Sequence, residues 1–238
     1  MATFVLVHGA WHGGWCWARV RNRLAAGGQR VFTPTLTGLG DRKHLLSRDV
    51  DLDTHITDVV NLLEAEELSD VVLVGHSYAG AVTPGVVDRA PGRIARLILL
   101  DAMMVEFGEA PIELSPPEVA AARRAQVERE GEGYKLPAPP AEVFGVSDPA
   151  DIAWVARRLT PHPFRTYTTK LAQRGSGLGA VPRAYIDCVS PALQTINPSR
   201  ARVRAKPAWR LLELATGHDA MVTAPAELAE MLQSLAAA

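Results

Sequence analysis

Short apolar runs recur along the chain and are separated by polar or glycine-rich segments. Three of them cover residues 4–7, 71–74 and 97–100, and two less regular ones occupy residues 184–189 and 210–214. Runs of four to eight residues bounded by turn signals are typical of strands that are buried on both faces of a parallel sheet. The pattern therefore predicts several parallel strands in one central sheet.

Helical segments fill the intervals between these strands. Residues 19–26 and 53–66 are predicted helices, and the second carries apolar side chains at helical spacing with Asp53 as its expected N-cap. Residues 30–32 form a further short strand. Alternating strands and helices indicate an α/β fold with a mostly parallel central sheet flanked by helices. A chain of 238 residues fits one such domain.

A serine flanked by small residues follows the second of the apolar runs. Ser77 lies between Gly75 and Ala79, at the point where a strand would pass into a helix. A tight strand-to-helix turn holds its serine in a strained backbone conformation, so the residues two before and two after it must be small. The last position of this pattern is usually glycine, and Ala79 departs from it by one methyl group. The pattern favours Ser77 as a catalytic nucleophile, and a strand that ends in a polar turn is the alternative.

A glycine-rich segment, here called the first loop, follows the first strand at residues 8–15. Acyl transfer needs two N–H donors directed at the developing oxyanion, and a glycine-rich loop lets a ligand approach main-chain N–H groups. We expect these donors to be the N–H group of Ala10 in the first loop and that of Tyr78, directly after Ser77. A plain glycine loop is the alternative.

A histidine follows the last predicted strand. His218 precedes a helix that opens near residues 223–225, and this position suits a general base that acts on Ser77. Its neighbour Asp219 is expected at the surface or as a residue that fixes the loop. His76, beside the serine, is expected to form structural hydrogen bonds.

Two aspartates are candidates for the carboxylate that a base histidine needs to hold its tautomer. Asp101 and Asp187 both preserve the chain order serine, acid, histidine. Asp101 directly follows the run at residues 97–100, at the edge where catalytic groups gather in parallel sheets. Asp187 lies one or two residues too early, inside its strand. We favour Asp101, and Asp187 stays open as the alternative.

The regular alternation lapses between residues 103 and 178, a proline-rich segment with a predicted helix at residues 118–130. An insertion at this point would lie over the carboxyl edge of the sheet. We therefore expect residues 103–178 to form a helical lid over the serine, and residues 1–102 and 179–238 to form the core of a single domain.

Several aromatic residues of this insertion are candidates for lining an apolar pocket. The alternative is that they pack the insertion onto the body of the protein. They are Phe107, Tyr134, Phe144, Trp154, Phe164 and Tyr167. The pair Arg123 and Arg124 is expected on a solvated helix face.

The composition of the chain bears on which partners and locations are expected. Twenty-five Lys and Arg residues against 26 Asp and Glu give a net charge of −1, which gives no sign of a nucleic-acid partner. Cys16 and Cys188 are expected to be reduced thiols. The first apolar run is too short for a signal-peptide core, so we expect a cytoplasmic protein that does not associate with a membrane. His8 and His12 do not indicate a metal site, and no cofactor is expected.

In combination these segments resemble the α/β-hydrolases, in particular the group that contains plant methylesterases and hydroxynitrile lyases. Within that group the chain is most similar to bacterial carboxylesterases that hydrolyse pyrethroids or carbamate-type pesticides. The resemblance is carried by residues 4–17, 33–42, 75–80, 99–102 and 217–221. It implies an esterase with Ser77, His218 and an oxyanion hole at Ala10 and Tyr78. Many relatives place the acid where this chain has no carboxylate, at residues 189–191, whereas Asp101 occupies a position that some lipases use.

We therefore expect a serine carboxylesterase that hydrolyses apolar carboxylic esters, with pyrethroid-like esters among the candidates, through an acyl-enzyme intermediate. The expected partner is a small apolar ester, and a homodimer is left open. A hydroxynitrile lyase on this scaffold uses a lysine after the base histidine and a threonine in the first loop, where this chain has Asp219 and Ala10. A non-catalytic ligand receptor is the alternative from another class, because it could keep every catalytic residue.

Overall fold

A six-stranded parallel sheet forms the centre of the computed structural model, which describes residues 1–237. These residues contain eight strands: β1 (Thr3–Val7), β2 (Arg30–Phe32), β3 (Val71–His76), β4 (Ile94–Leu100), β5 (Lys135–Leu136), β6 (His162–Pro163), β7 (Arg183–Cys188) and β8 (Trp209–Leu214). The order across the large sheet is β2-β1-β3-β4-β7-β8, and every pairing in it is parallel. β5 and β6 form a separate antiparallel pair. The predicted parallel sheet is confirmed.

Helices cover both faces of this sheet. The described residues contain nine α-helices: α1 (Ala18–Ala26), α2 (Leu52–Ala65), α3 (Ala79–Arg89), α4 (Pro117–Glu130), α5 (Pro149–Ala156), α6 (Arg165–Thr168), α7 (Asn197–Arg204), α8 (Ala220–Thr223) and α9 (Pro225–Ala237). α2 packs against α3 on one face, and α1 packs against α9 on the other. None of these helices has both the length and the apolar composition needed to cross a bilayer.

The two faces of the sheet belong to two separate hydrophobic clusters. In β3, Val71 and Leu73 pack in the cluster that contains Ile56 of α2, whereas Val72 and Val74 pack in the other cluster. Successive side chains of a strand point to opposite faces, so a strand covered on both sides needs an uninterrupted apolar run. Each Val or Leu buried in this way stabilises the fold by about 1.5–3 kcal/mol.

The N-cap of α2 is Asp51, so the expectation of Asp53 is wrong by two residues. The Asp51 carboxylate accepts from the Thr54 N–H group at 3.0 Å, and the Asp51 N–H group donates to the Thr54 hydroxyl at 3.3 Å. This reciprocal capping box satisfies two donors near the start of the helix. Asp53 lies in the first turn instead and pairs with Arg89 and Arg174.

The segment between β4 and β7 lies at the carboxyl edge of the sheet. It contains α4, α5, α6 and the pair of strands β5 and β6. The Thr160 N–H group donates to the Trp11 carbonyl at 3.0 Å, and the Asp219 N–H group donates to the Phe144 carbonyl at 3.0 Å. These bonds join the segment to the loops that follow β1 and β8.

Both cysteines are free thiols buried inside the protein, as the sequence predicts. Burial raises the pKa of the thiols of Cys16 and Cys188. Because the thiolate is the reactive form of cysteine, neither side chain is placed for thiol chemistry.

Candidate active site

Ser77 occupies a sharp turn between β3, which ends at His76, and α3, which begins at Ala79. Its φ angle is +54°, a conformation that costs free energy in a residue with a side chain. Main-chain bonds hold it there, because the Ser77 N–H group donates to the Leu100 carbonyl at 3.2 Å and the Met103 N–H group donates to the Ser77 carbonyl at 2.9 Å. The serine is therefore fixed by the chain on both sides of the turn.

The small residues around the serine leave no room for larger ones. A Cβ atom added at Gly75 would lie 2.7 Å from the Thr83 hydroxyl oxygen, and one added at Gly80 would lie 2.1 Å from the Met103 carbonyl oxygen. Ala79, in contrast, is accommodated in the core. Gly75 and Gly80 thus have no room for a side chain, whereas the methyl group of Ala79 fits.

The structure brings Ser77, His218 and Asp101 together. His218 Nε2 lies 2.8 Å from Ser77 Oγ, and His218 Nδ1 lies 2.7 Å from Asp101 Oδ2. A carboxylate can only accept, so the Nδ1–H group donates to Asp101 and Nε2 is left to accept the serine proton. His218 is 2% exposed and Asp101 is fully buried. This arrangement has the geometry of a general base oriented by a carboxylate.

Asp101 and Asp187 lie side by side, and a buried arginine joins them. Leu100 pairs with Ile186 in adjacent strands, so the two aspartates follow the same rung of the sheet. Arg200 Nη2 donates to Asp101 Oδ1 at 2.6 Å, while Arg200 Nε donates to Asp187. The other oxygen of Asp187 accepts from Arg204 at 2.8 Å. Asp187 is thus occupied by two arginines, and only Asp101 reaches His218.

Arg200 is a site residue that the sequence did not reveal. Arg200 is 4% exposed, and it also donates to the carbonyls of Leu193 and Cys188. Burial by itself lowers the pKa of Arg200, but the carboxylates of Asp101 and Asp187 outweigh this effect and raise it. No motif surrounds Arg200, and its contacts with the two aspartates depend on how α7 is placed in the fold.

The first loop lies directly against the serine because of Gly9. A Cβ atom added at Gly9 would lie 2.7 Å from Ser77 Cβ and 3.3 Å from Ser77 Oγ. The next residue is Ala10. Among residues 1–237, no acceptor binds the N–H group of Ala10 or that of Tyr78. The two N–H groups predicted to face an oxyanion are therefore unoccupied by other parts of the described protein.

Neutral histidines fix the main chain of the first loop. His8 Nδ1–H donates to the Gly9 carbonyl at 2.8 Å, and Nε2 accepts from the Leu36 N–H group at 3.0 Å. Burial lowers the pKa of His8 to about 3, so the ring is uncharged. His162 Nδ1 accepts from the Trp11 N–H group at 3.4 Å. Residues 1–237 contain no group of three or more His, Cys, Asp or Glu side chains that could hold a metal ion.

Two further residues, His76 and Asp219, fix the segment around His218. His76 Nε2–H donates to the main-chain carbonyl of His218 at 3.0 Å, which fits the structural role expected for it. Burial lowers the pKa of His76, and the neighbouring His218 and His12 lower it further. Asp219 is fully buried and bonded to His12, so the expectation of a surface position is wrong and that of a loop-fixing residue holds.

A cavity of about 200 Å³ opens beside Ser77 and His218. Its walls come from the insertion, the first loop and the segment before α7. They comprise Trp11, Met103, Ser115, Arg123, Gln126, Leu136, Pro137, Pro139, Val143, Phe144, Tyr167, Leu193, Thr195 and Ile196. A second cavity of about 310 Å³ adjoins it and also contacts His218. Most of the side chains around the serine are thus apolar.

Only part of the predicted aromatic lining reaches this cavity. Phe144 and Tyr167 line it, whereas Phe107 lines a separate cavity together with Pro84 of α3. The other three candidates pack against neighbouring side chains, as Trp154 does against Trp15 at a ring-centre distance of 5.0 Å. Arg123 lines the cavity and is only half-exposed, so the expectation of a solvated face is wrong for it and right for Arg124.

Known proteins are similar to this chain over nearly its whole length. A model of the alpha/beta hydrolase family matches residues 4–231. A carbendazim hydrolyzing esterase from Nocardioides sp. (strain SG-4G) is 44% identical over 250 residues, covering 99% of this chain and 100% of that protein.

Two solved structures show the same architecture. A pyrethroid hydrolase from Sphingobium faniae JZ-2 superposes with a TM-score of 0.79 at 26% identity, covering 100% of this chain and 98% of the other. A methylesterase from Arabidopsis gives a TM-score of 0.80 at 25% identity, covering 100% and 99%. The family match, the 44% identical relative and the parallel sheet that carries Ser77 together show that the chain belongs to the α/β-hydrolase family.

Proposed function

We propose that the protein is a serine carboxylesterase that hydrolyses apolar carboxylic esters through a covalent acyl-enzyme. The observation that carries this proposal is the chain of hydrogen bonds from Ser77 through His218 to Asp101, at 2.8 and 2.7 Å. Similarity to proteins named as esterases supports the reaction class. The serine mechanism rests on the geometry of these three side chains.

In the first half-reaction His218 Nε2 takes the proton of Ser77 as Oγ attacks the ester carbonyl carbon. The imidazolium that forms is stabilised by Asp101, whose second oxygen accepts from Arg200. The carbonyl oxygen gains negative charge, and the N–H groups of Ala10 and Tyr78 are the donors for it. The carbon–oxygen bond to the alcohol then breaks, and His218 gives its proton to the leaving oxygen.

The second half-reaction repeats these proton transfers with water. His218 accepts a proton from a water molecule that attacks the acyl carbon, and the tetrahedral intermediate breaks down to the acid. His218 then returns the proton to Ser77 Oγ. Ser77 is the nucleophile of the first step and water that of the second, while His218 supplies the proton transfers and the two N–H donors the charge stabilisation in both.

The insertion acts in this proposal as a lid that shapes the substrate site. Most of the residues lining the cavity beside Ser77 come from residues 103–178, and its walls are mainly apolar. Two adjoining cavities contact His218. This arrangement favours a substrate whose acyl part occupies one cavity and whose alcohol part occupies the other. Bulky esters such as pyrethroid-like ones would have to fill both cavities.

Cyanohydrin cleavage has less support than ester hydrolysis. The residue after the base is Asp219, which is buried and bonded to His12, and it offers no cation near the reacting atoms. Ala10 places no hydroxyl group in the first loop. A ligand receptor that binds without turnover remains the alternative from another class, and it is distinguished by experiment.

Hydrolysis of p-nitrophenyl acetate and butyrate tests the proposal directly. We expect turnover by the wild-type protein and a loss of at least about 10³-fold in Ser77→Ala and in His218→Gln. A fluorophosphonate should label wild-type Ser77, as seen by mass spectrometry of the peptide, and should not label Ser77→Ala. A wild-type protein without turnover or labelling, or a fully active Ser77→Ala, would remove the proposal.

A further inference from the structure

The cavity beside Ser77 contains a cation that its apolar walls do not explain. Among the described residues that line it, Arg123 is the one with a permanent charge. Arg123 extends from α4, in the insertion, into the same cavity that Ser77 and His218 border. The N–H groups of a half-buried guanidinium group lose water when a substrate enters the cavity. They then need hydrogen-bond acceptors on the substrate.

The guanidinium group of Arg123 is held in place by neutral neighbours. Nη1 donates to the Ser115 hydroxyl oxygen at 3.1 Å. The guanidinium carbon lies 5.5 Å from the centre of the Tyr167 ring, which is itself buried in the cavity wall. These contacts position the charge without neutralising it, and they leave other N–H donors of the guanidinium group available.

No carboxylate within residues 1–237 pairs with Arg123, although other arginines of this protein are paired. Arg200 pairs with Asp101 and Asp187, and Arg202 pairs with Glu109. Gln126, one helical turn beyond Arg123, lines the same cavity and adds an amide group. Arg123, Ser115 and Gln126 therefore form a polar, cationic patch in an otherwise apolar cavity.

We propose that this patch is a carboxylate-binding subsite, so that the preferred substrates are esters that carry a second, ionised carboxyl group. The inference rests on the proposed esterase function, because the patch and Ser77 share one cavity. A planar guanidinium group matches a carboxylate in two parallel hydrogen bonds, and partial burial strengthens their attraction over that in water. The hydroxyl of Ser115 and the amide of Gln126 supply the remaining polar surface.

Matched pairs of esters test the subsite by kinetics. Monomethyl adipate and methyl hexanoate have the same acyl chain length and differ in the terminal carboxylate. 4-(Butanoyloxy)benzoate and phenyl butanoate place the carboxylate on the alcohol side instead. For each pair the readout is kcat/KM for the anionic ester divided by kcat/KM for the neutral one, which removes effects common to both.

We expect this ratio to fall at least about tenfold in Arg123→Gln for one of the two pairs. Arg123→Lys keeps the charge and should retain an intermediate ratio. Arg124→Gln is the matched control, since it removes the same charge one residue away from an exposed side chain that does not line the cavity. It should leave the ratio within about twofold of wild type. A ratio that is unchanged in Arg123→Gln for both pairs, or one that falls equally in Arg124→Gln, would overturn the subsite.

A binding measurement separates failure of the subsite from failure of the esterase proposal. Adipamate and hexanamide are stable amides that match the first ester pair, and 4-(butanoylamino)benzoate and N-phenylbutanamide match the second. Calorimetry can compare their affinities in wild type and Arg123→Gln. For at least one pair we expect the anionic amide to bind wild type at least about tenfold more tightly than the neutral one, and Arg123→Gln to lose this preference. Equal affinities in wild type for both pairs would contradict the subsite even if neutral esters are hydrolysed. A preference for an anionic amide without turnover of any ester would retain the subsite and contradict the esterase.

Discussion

His12 and Asp219 form a buried pair that joins the first loop to the residue directly after His218. His12 Nε2 lies 2.9 Å from Asp219 Oδ2, and His12 Nδ1 lies 2.8 Å from the Ala10 carbonyl oxygen. Both ring nitrogens face acceptors, so both bonds require the doubly protonated ring. The pair therefore connects Ala10, whose N–H group is a proposed oxyanion donor, with the segment that carries His218, the proposed base.

Replacement of His12 by glutamine should destabilise the protein more at low pH than at high pH. Burial lowers the pKa of His12, but the charge and hydrogen bond of Asp219 outweigh it, and the pKa is raised above 6.5. A histidine with a raised folded-state pKa contributes stability that is fully present below the unfolded value and is lost as the pH rises through the folded value. We expect His12→Gln to cost about 1–3 kcal/mol near pH 6.

Urea unfolding between pH 6 and 9 measures this difference. The gap in unfolding free energy between wild type and His12→Gln should narrow as the pH rises. His44 is exposed, so the loss of unfolding free energy in His44→Gln should be small. A gap for His12→Gln that widens with pH would show that His12 is neutral in the folded protein.

Asp101→Asn should reduce kcat far more than Asp187→Asn. The NH2 group of an asparagine at position 101 can donate to His218 Nδ1 and so favour the wrong tautomer, and the neutral amide does not stabilise the imidazolium as a carboxylate does. We therefore expect a loss of about 10³–10⁴-fold. Asp187 contacts Arg200 and Arg204 rather than the histidine, and Asp187→Asn should lower kcat by less than about tenfold. Initial rates with p-nitrophenyl butyrate measure both. The reverse order would transfer the acid role to Asp187.

Arg200→Met should destabilise the protein by about 3–5 kcal/mol, because it leaves two buried carboxylates without their shared cation. Arg204→Met is the matched control, since Arg204 is half-exposed and pairs only with Asp187. Solvent screening limits its contribution to about 1 kcal/mol or less. Chemical denaturation at pH 7 measures both values, and similar losses in the two variants would show that Arg200 does not bridge the aspartates in solution.

Gly9→Ala should reduce turnover by about 100-fold or more. The added methyl group would lie 2.7 Å from Ser77 Cβ, so the first loop must move away from the serine and take the Ala10 N–H group with it. The loss should appear in kcat for p-nitrophenyl butyrate. Circular dichroism and the urea midpoint show whether the variant is folded. A folded variant with wild-type turnover would contradict the placement of the loop.

Much of the scaffold was predictable because its signals are local. A strand covered on both faces needs a continuous apolar run, and the turn at Ser77 needs small residues on either side, so contiguous residues specify both. The first loop and the location of His218 after the last strand are local in the same sense. The N-cap of α2 is less predictable, because Asp51 and Asp53 lie two residues apart with the same side chain, and hydrogen-bond geometry separates them.

The sequence by itself determined the parallel sheet and the turn at Ser77, and it singled out His218 as the candidate base. The tertiary structure decided which aspartate meets that histidine, because Asp101 and Asp187 follow the same rung of adjacent strands. The two aspartates differ in their surroundings. Asp101 has a φ angle of +40°, and Asp187 is paired with Arg200 and Arg204. The positions of Arg123 and Asp219 were decided in the same way. Each depends on contacts between segments far apart in the chain, and periodicity carries no information about such contacts.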